Sequence, residues 1–166
     1  MLSMNSVWIE RSVFDRMTLE ADAKYPLETG GILAGYCSID DDEVVITEIV
    51  GPGPNAKHRR STYRPDYKFH RDEIGKIYEK SNGLISYLGD WHTHPSATAH
   101  LSWIDRRALR NIAREPRNYM DRPVMIILGE SSGGEKWSPR AWRTQRVVST
   151  VFWPQWEYFP LGIKVF

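Results

Sequence analysis

The chain has 166 residues, of which 41% are hydrophobic and 26% charged, with a formal net charge of +1. That balance describes a folded domain rather than a disordered chain, large enough to bury roughly two-thirds of its unfolded surface without a structural metal. The near-neutral charge gives no global field to draw in nucleic acid or an anionic membrane, and the single cysteine, Cys37, excludes an intramolecular disulfide and zinc sites built on paired cysteines.

The opening "MLSMNSVWIERSVFDRM" has no apolar stretch of a secretory signal. No run of about 18 apolar residues follows anywhere, so no membrane span is expected. With one thiol, expected to sit in the interior as a small hydrophobe, the reading is a cytoplasmic protein. Val7 to Ile9 predicts a short strand. From Glu10, the recurrence of Val13, Phe14, Met17 and Ala21 predicts a helix that Pro26 ends. "TGGILAGY", Thr29 to Tyr36, predicts a strand whose glycines admit another backbone or a substrate. A turn at "DDDEV" leads to a second strand, Val44 to Val50, making a hairpin.

Gly51 to Pro65 is irregular by its Pro, Gly and Asn content, and carries the cationic stretch "KHRRSTY", which suits an acidic partner or an ordinary solvated loop. Asp66 predicts the N-cap of a helix with Tyr67, His70, Ile74, Ile77 and Tyr78 on one face, ending at Asn82-Gly83. Leu84 to Trp91 predicts a strand that delivers His92 at its C-terminal end. Ser102 to Arg114 predicts a helix, and Pro123 to Gly129 a buried strand. "ESSGGEKW" predicts a turn and Ala141 to Ser149 a strand; "VFWPQWEYFPLGIKVF" is aromatic-rich and extended. We therefore expect residues 1–166 to form one α+β domain, a mixed, curved sheet flanked by helices.

"GDWHTHPSATAHLSWID", Gly89 to Asp105, holds three of the five histidines. His92 and His94 lie two apart, so a strand turns both imidazoles to the same face and Thr93 away. Pro95 stops the strand and leaves His94 at a loop mouth. Ser102 and Asp105 have the spacing of a capping box, which places the acid on the first helical turn, facing back toward the loop. Two histidines and an aspartate with an open fourth position suit a catalytic zinc site. Taken singly, the paired histidines also fit a surface strand, and the Ser/Asp pair also fits a plain helix start. Asp90 is a candidate acceptor for a histidine's second N–H, His100 reads as a loop residue, and Trp91 and Trp103 are expected to pack the loop on the core. Metal-assisted hydrolysis also needs a carboxylate base. Glu28, between Pro26 and the small-residue strand, is the best-placed candidate.

Glu28 within "ETGGILAG", followed by H-x-H-P, six residues, and S-x-x-D, resembles the signature of the JAMM (JAB/MPN) zinc metallopeptidases. In that resemblance His92, His94 and Asp105 stand at the positions of the metal ligands of a single zinc ion. Glu28 stands at the base, and Ser102 at the residue that stabilises the tetrahedral intermediate. "GPGPNAKH", "YRPD" and "LGDWHTHP" resemble the compact bacterial branch, which includes proteins of integrative and conjugative elements and deconjugating peptidases of CBASS-type anti-phage operons. The likeness runs from about Glu10 to Leu128. It implies an MPN/JAB-type fold and an isopeptidase or peptidase acting after the C-terminal glycine of a ubiquitin-like protein or conjugated tail, in the company of activating-enzyme-like and conjugating-enzyme-like partners. Substrate-binding residues are not indicated. The alternatives are a non-catalytic MPN-type scaffold, which would lack ligands, and a DNA-linked or other metallohydrolase, which the charge and the missing extra ligands disfavour.

Overall fold

A computed structural model describes residues 6–39, 43–147 and 155–166 of the chain. The elements are β1 (Ser6–Ile9), α1 (Arg11–Lys24), β2 (Gly30–Cys37), β3 (Glu43–Val50), β4 (Lys57–His58), β5 (Tyr63–Arg64), α2 (Tyr67–Lys80), β6 (Ser86–His94), α3 (Trp103–Arg114), a 3-10 turn (Pro116–Asn118), β7 (Val124–Glu130), β8 (Trp137–Val147) and β9 (Gln155–Val165). The expected mixed sheet with helices against it is what forms.

Its curvature runs to closure. The strand order is β1-β3-β2-β6-β7-β8-β9, and β1 pairs in parallel with both β3 and β9 to make a barrel. The aromatic C-terminal segment, read as merely extended, is the strand that closes it: β9 runs antiparallel to β8 from Gln155 to Leu161 and parallel to β1 from Gly162 to Val165. Closure removes both sheet edges. Residues 40–42 of the expected "DDDEV" turn, residues 148 and 149 of the expected strand, and residues 151–154 of the aromatic segment lie outside the described residues.

The α1 periodicity does what it predicts. Val13, Met17 and Ala21 are buried and join Val7, Ile9, Leu33, Ile46, Leu88, Trp91, Ile126 and Leu128 in the main core. A smaller cluster, Ala99, Leu101, Leu109, Met125 and Ile127, pins α3 and the preceding loop to the outside of β7. Helix α2 departs from expectation. Its N-cap is Asp66, whose carboxylate accepts from the Phe69 N–H at 3.1 Å. Of the apolar face named above, however, only His70 is buried, and Tyr67 and Tyr78 lie in solvent at 68% and 52% exposure. A closed barrel needs less helix cover than an open sheet, so α2 rests on it by a narrow contact.

The β2 glycines admit a neighbouring backbone, and Gly31 also lines the cleft beside the histidines. A Cβ on Gly30 would collide with the Trp91 carbonyl oxygen of β6. Gly89, at φ +150°, occupies backbone space that a side chain would contest with the Val124 carbonyl of β7. These two close approaches bring β2, β6 and β7 together where the histidines emerge.

Candidate metal centre and its cleft

Strand β6 keeps its ladder through His92 and Thr93 to His94, up to the stop expected at Pro95. The reason is its neighbours. His92, Thr93 and His94 are in register with Ile127, Leu128 and Gly129 of β7, and His92 also faces Gly30 of β2. The Thr93 N–H donates to the Thr29 carbonyl at 2.8 Å, and its hydroxyl accepts from the Thr29 N–H at 3.0 Å. Thr93 is fully buried, so both imidazoles turn the other way, as strand alternation requires.

Helix α3 supplies the acid. Ser102 is its N-cap, and the capping box is complete: the Ser102 hydroxyl accepts from the Asp105 N–H at 3.2 Å, and the Asp105 carboxylate accepts from the Ser102 N–H at 2.8 Å. This local arrangement turns the carboxylate toward the histidines, with Oδ1 facing His92 and Oδ2, the capping oxygen, nearer His94. His92 Nε2 lies 3.1 Å from Asp105 Oδ1, His94 Nε2 lies 3.6 Å from Oδ2, and the two Nε2 atoms are 3.0 Å apart. All three ligand atoms fall within 4.8 Å of one another. Two ligands held at about 2.0–2.1 Å around a tetrahedral ion lie roughly 3.3 Å apart, so the spacing fits one small cation. The donor set, two nitrogens and one carboxylate with room for a further ligand, also fits.

The electrostatics agree with that use. Burial by itself would raise Asp105, but His92 and both polar groups of Ser102 outweigh it and hold the carboxyl well below the usual carboxylate range. Burial, then the neighbouring His92, lowers His94 against the pull of Asp105, which keeps an imidazole in its neutral, ligating form. Glu28 moves the other way: burial raises it to about 7, with His92 opposing and Asp105 assisting. A carboxyl raised to about 7 is matched to taking and returning a proton near neutrality.

Glu28, His92, His94, Ser102 and Asp105 all line one cleft of about 470 Å³. The five candidates are therefore brought together, from three separate stretches of chain. The walls include Arg60 to Tyr63, Ile104 and Ala108. Other expectations need correction. Asp90 lines the cleft, but its carboxylate accepts from the Tyr87 hydroxyl at 2.8 Å, and burial raises its pKa. Its bond is to Tyr87 and not to a histidine N–H, for which it was one candidate acceptor. His100 does lie in the loop, exposed, with its ring 5.3 Å from that of His94. Trp91 is buried, whereas Trp103 is 70% exposed. Two positions along a helix is about 200°, so a residue two before the inward-facing Asp105 points out. Cys37 is half-buried against the core.

One part of the site gave no signal in the sequence. The stretch expected as loop folds into the small hairpin β4–β5, with Lys57 opposite Arg64 and His58 opposite Tyr63. That hairpin holds the main chain of Glu28. The Glu28 N–H donates to the Arg59 carbonyl at 2.7 Å, and the Glu28 carbonyl sits 2.9 Å from His58 Nδ1. No periodicity links residues that lie 30 positions apart.

Comparison with known proteins supplies an independent view. A family model described as prokaryotic homologs of the JAB domain matches residues 10–145. A protein named probable metalloprotease y4qB, from Sinorhizobium fredii, is 42% identical over 137 residues, 82% of each chain. A CD-NTase/cGAS isopeptidase from Escherichia coli is 32% identical over 128 residues, covering 75% of this chain and 77% of its own. A namesake from Enterobacter hormaechei is 30% identical over 132 residues, 80% of this chain and 72% of its own. Among solved structures, a solution structure of a Desulfitobacterium hafniense protein matches with a TM-score of 0.65 at 15% identity, covering 96% of this chain and 92% of that one. That likeness bears on the fold alone.

Proposed function

This chain belongs to the family of prokaryotic JAB-domain homologues, and from that premise we propose a zinc-dependent isopeptidase that releases a protein conjugated through its C-terminal glycine. The family match and the convergence of the three ligands make the chain a metalloprotease-type hydrolase with a His-His-Asp metal-binding group. The likeness to relatives named isopeptidases supports the isopeptide bond, and the pairing of that group with Glu28, a raised carboxyl on the same cleft, supports hydrolysis. A scaffold without catalysis has no use for either.

His92, His94 and Asp105 would hold the ion, one per chain. When bound, zinc supplies Lewis acidity toward an amide carbonyl and toward water. Glu28 takes a proton from the attacking water and returns it to the leaving amine, so the carboxyl begins and ends the cycle ionised. The Ser102 hydroxyl oxygen already accepts the Asp105 N–H, which leaves its O–H to donate to the carbonyl oxygen as negative charge builds there. Asp105 contributes through charge and direction, fixed by the cap.

A protein substrate suits the open cleft, and the E. coli and Enterobacter relatives are named CD-NTase/cGAS isopeptidases. We place this chain in a similar conjugation system, with activating-enzyme-like and conjugating-enzyme-like partners and a role in defence against phage. No helix among the described residues is long and apolar enough to cross a membrane; the cytoplasm, with no membrane or nucleic-acid partner, is the location we propose. The test uses a ubiquitin-like protein joined through its C-terminal glycine to a lysine ε-amine, beside a linear fusion at the same glycine. We expect cleavage of the isopeptide that a chelator abolishes and zinc restores. Metal-loaded protein that leaves both amide bonds intact contradicts the proposal.

A further inference from the structure

Glu28 stands between α1 and β2, on no regular element, yet the proposed chemistry needs its carboxyl placed to within a fraction of an ångström. Its chain is tied on both sides. Ahead of it, Thr29 is bonded in both directions to Thr93, which lies between His92 and His94. At Glu28 itself, the N–H goes to Arg59 and the carbonyl meets His58 Nδ1 at 2.9 Å. We propose that His58 is a positioning residue: its Nδ1–H holds the Glu28 carbonyl and so fixes the base against the metal ligands. This rests on the reading of Glu28 as the base.

The chemistry of the contact is one-directional. A carbonyl oxygen only accepts, so Nδ1 must carry the hydrogen. The ring is steadied for that task. It packs at a 32° tilt with its centroid 5.6 Å from that of Tyr63, and the next residue closes the hairpin through Arg59 N–H to the Thr62 carbonyl at 2.9 Å. His58 does not itself line the cleft, whereas its hairpin neighbours Arg60 to Tyr63 do. The wall that meets the substrate and the clamp that holds the base are therefore one small element. Losing the clamp is expected to disturb the reacting geometry more than substrate affinity, and misplacement by about 1 Å is worth roughly a hundredfold in rate.

Two substitutions separate the hydrogen bond from the ring. His58→Phe keeps an aromatic ring against Tyr63 and deletes the donor; His58→Asn deletes the ring and keeps an N–H close to the position of Nδ1. We expect His58→Phe to lower kcat about 10- to 100-fold on the isopeptide-linked conjugate, with KM and zinc content unchanged, and His58→Asn to recover most of the loss. Amide hydrogen exchange on the isolated chain gives a second reading: protection at Glu28 and Thr29 falls in His58→Phe and returns in His58→Asn. If His58→Phe does not fold, His58→Leu takes its place. Equal damage from Phe and Asn, a loss confined to KM, or unchanged protection at residues 28 and 29 overturns the proposal. Should the wild-type protein cleave no amide, the base reading fails, and the exchange measurement still decides whether His58 clamps residue 28.

Discussion

The two walls of the cleft are built by opposite routes. On one side, His92, His94, Ser102 and Asp105 lie within a single short run, and each is aimed by a local rule: alternation along β6 for the histidines, a capping box for the Ser/Asp pair. On the other side, Glu28 has no local rule at all. Its place comes from a hairpin 30 residues downstream and from Thr93 across the sheet, 64 residues away. The ligand wall can be designed or disrupted residue by residue. The base wall depends on the tertiary fold, and perturbing it should alter rate before it alters metal binding.

The strongest way to break that contrast is Asp105→Asn. It removes a ligand charge while its amide oxygen can still accept from the Ser102 N–H, so we expect sub-stoichiometric zinc after dialysis and hydrolysis at background, read by metal analysis and conjugate cleavage. Glu28→Gln should separate the walls: full zinc, with kcat lower by about 10²–10⁴-fold. Near-normal turnover in that variant would remove Glu28 from the mechanism. Ser102→Ala is predicted to lower kcat by about 10²–10³-fold through the lost oxyanion donor. It should also cost about 1 kcal/mol of folding stability through the lost cap, seen in denaturant unfolding.

Two smaller effects sharpen the comparison through pH. The base form of Glu28 is its carboxylate, so kcat/KM should rise with pH through the pKa of that group. A bound cation favours the carboxylate and should draw the inflection below the value of about 7 found for the ion-free site. A profile without an acid limb contradicts the assignment. The folded ion-free protein resists ionising Glu28, whose pKa rises from 4.5 to about 7. Its stabilising contribution is therefore present below 4.5 and lost as pH rises through about 7. Glu28→Gln should then stabilise the ion-free protein near pH 8 but not near pH 4, by on the order of 1 kcal/mol once solvent screening is allowed for.

What could be read in advance follows the same division. The α1 stripe of Val13, Met17 and Ala21, the Asp66 and Ser102 caps and the β2–β3 hairpin were legible because each depends on spacing within a few residues. So was the end of β6 at His94, which Pro95 dictates, though not its parallel pairing with β7. Closure by β9 was not, because parallel pairing with β1 joins the two ends of the chain. The outward turn of Trp103 followed from helix geometry once Asp105 was placed, and the motif's apolar look concealed it. Likewise Asp90, a candidate acceptor for a histidine's second N–H, bonds Tyr87 three residues earlier.

The most direct test is diffraction from zinc-soaked crystals at the zinc absorption edge. One anomalous peak is predicted, about 2.0–2.2 Å from His92 Nε2, His94 Nε2 and a carboxylate oxygen of Asp105, with Glu28 outside bonding range across the cleft. A peak elsewhere, or one that takes Glu28 as a ligand in place of Asp105, would contradict the account.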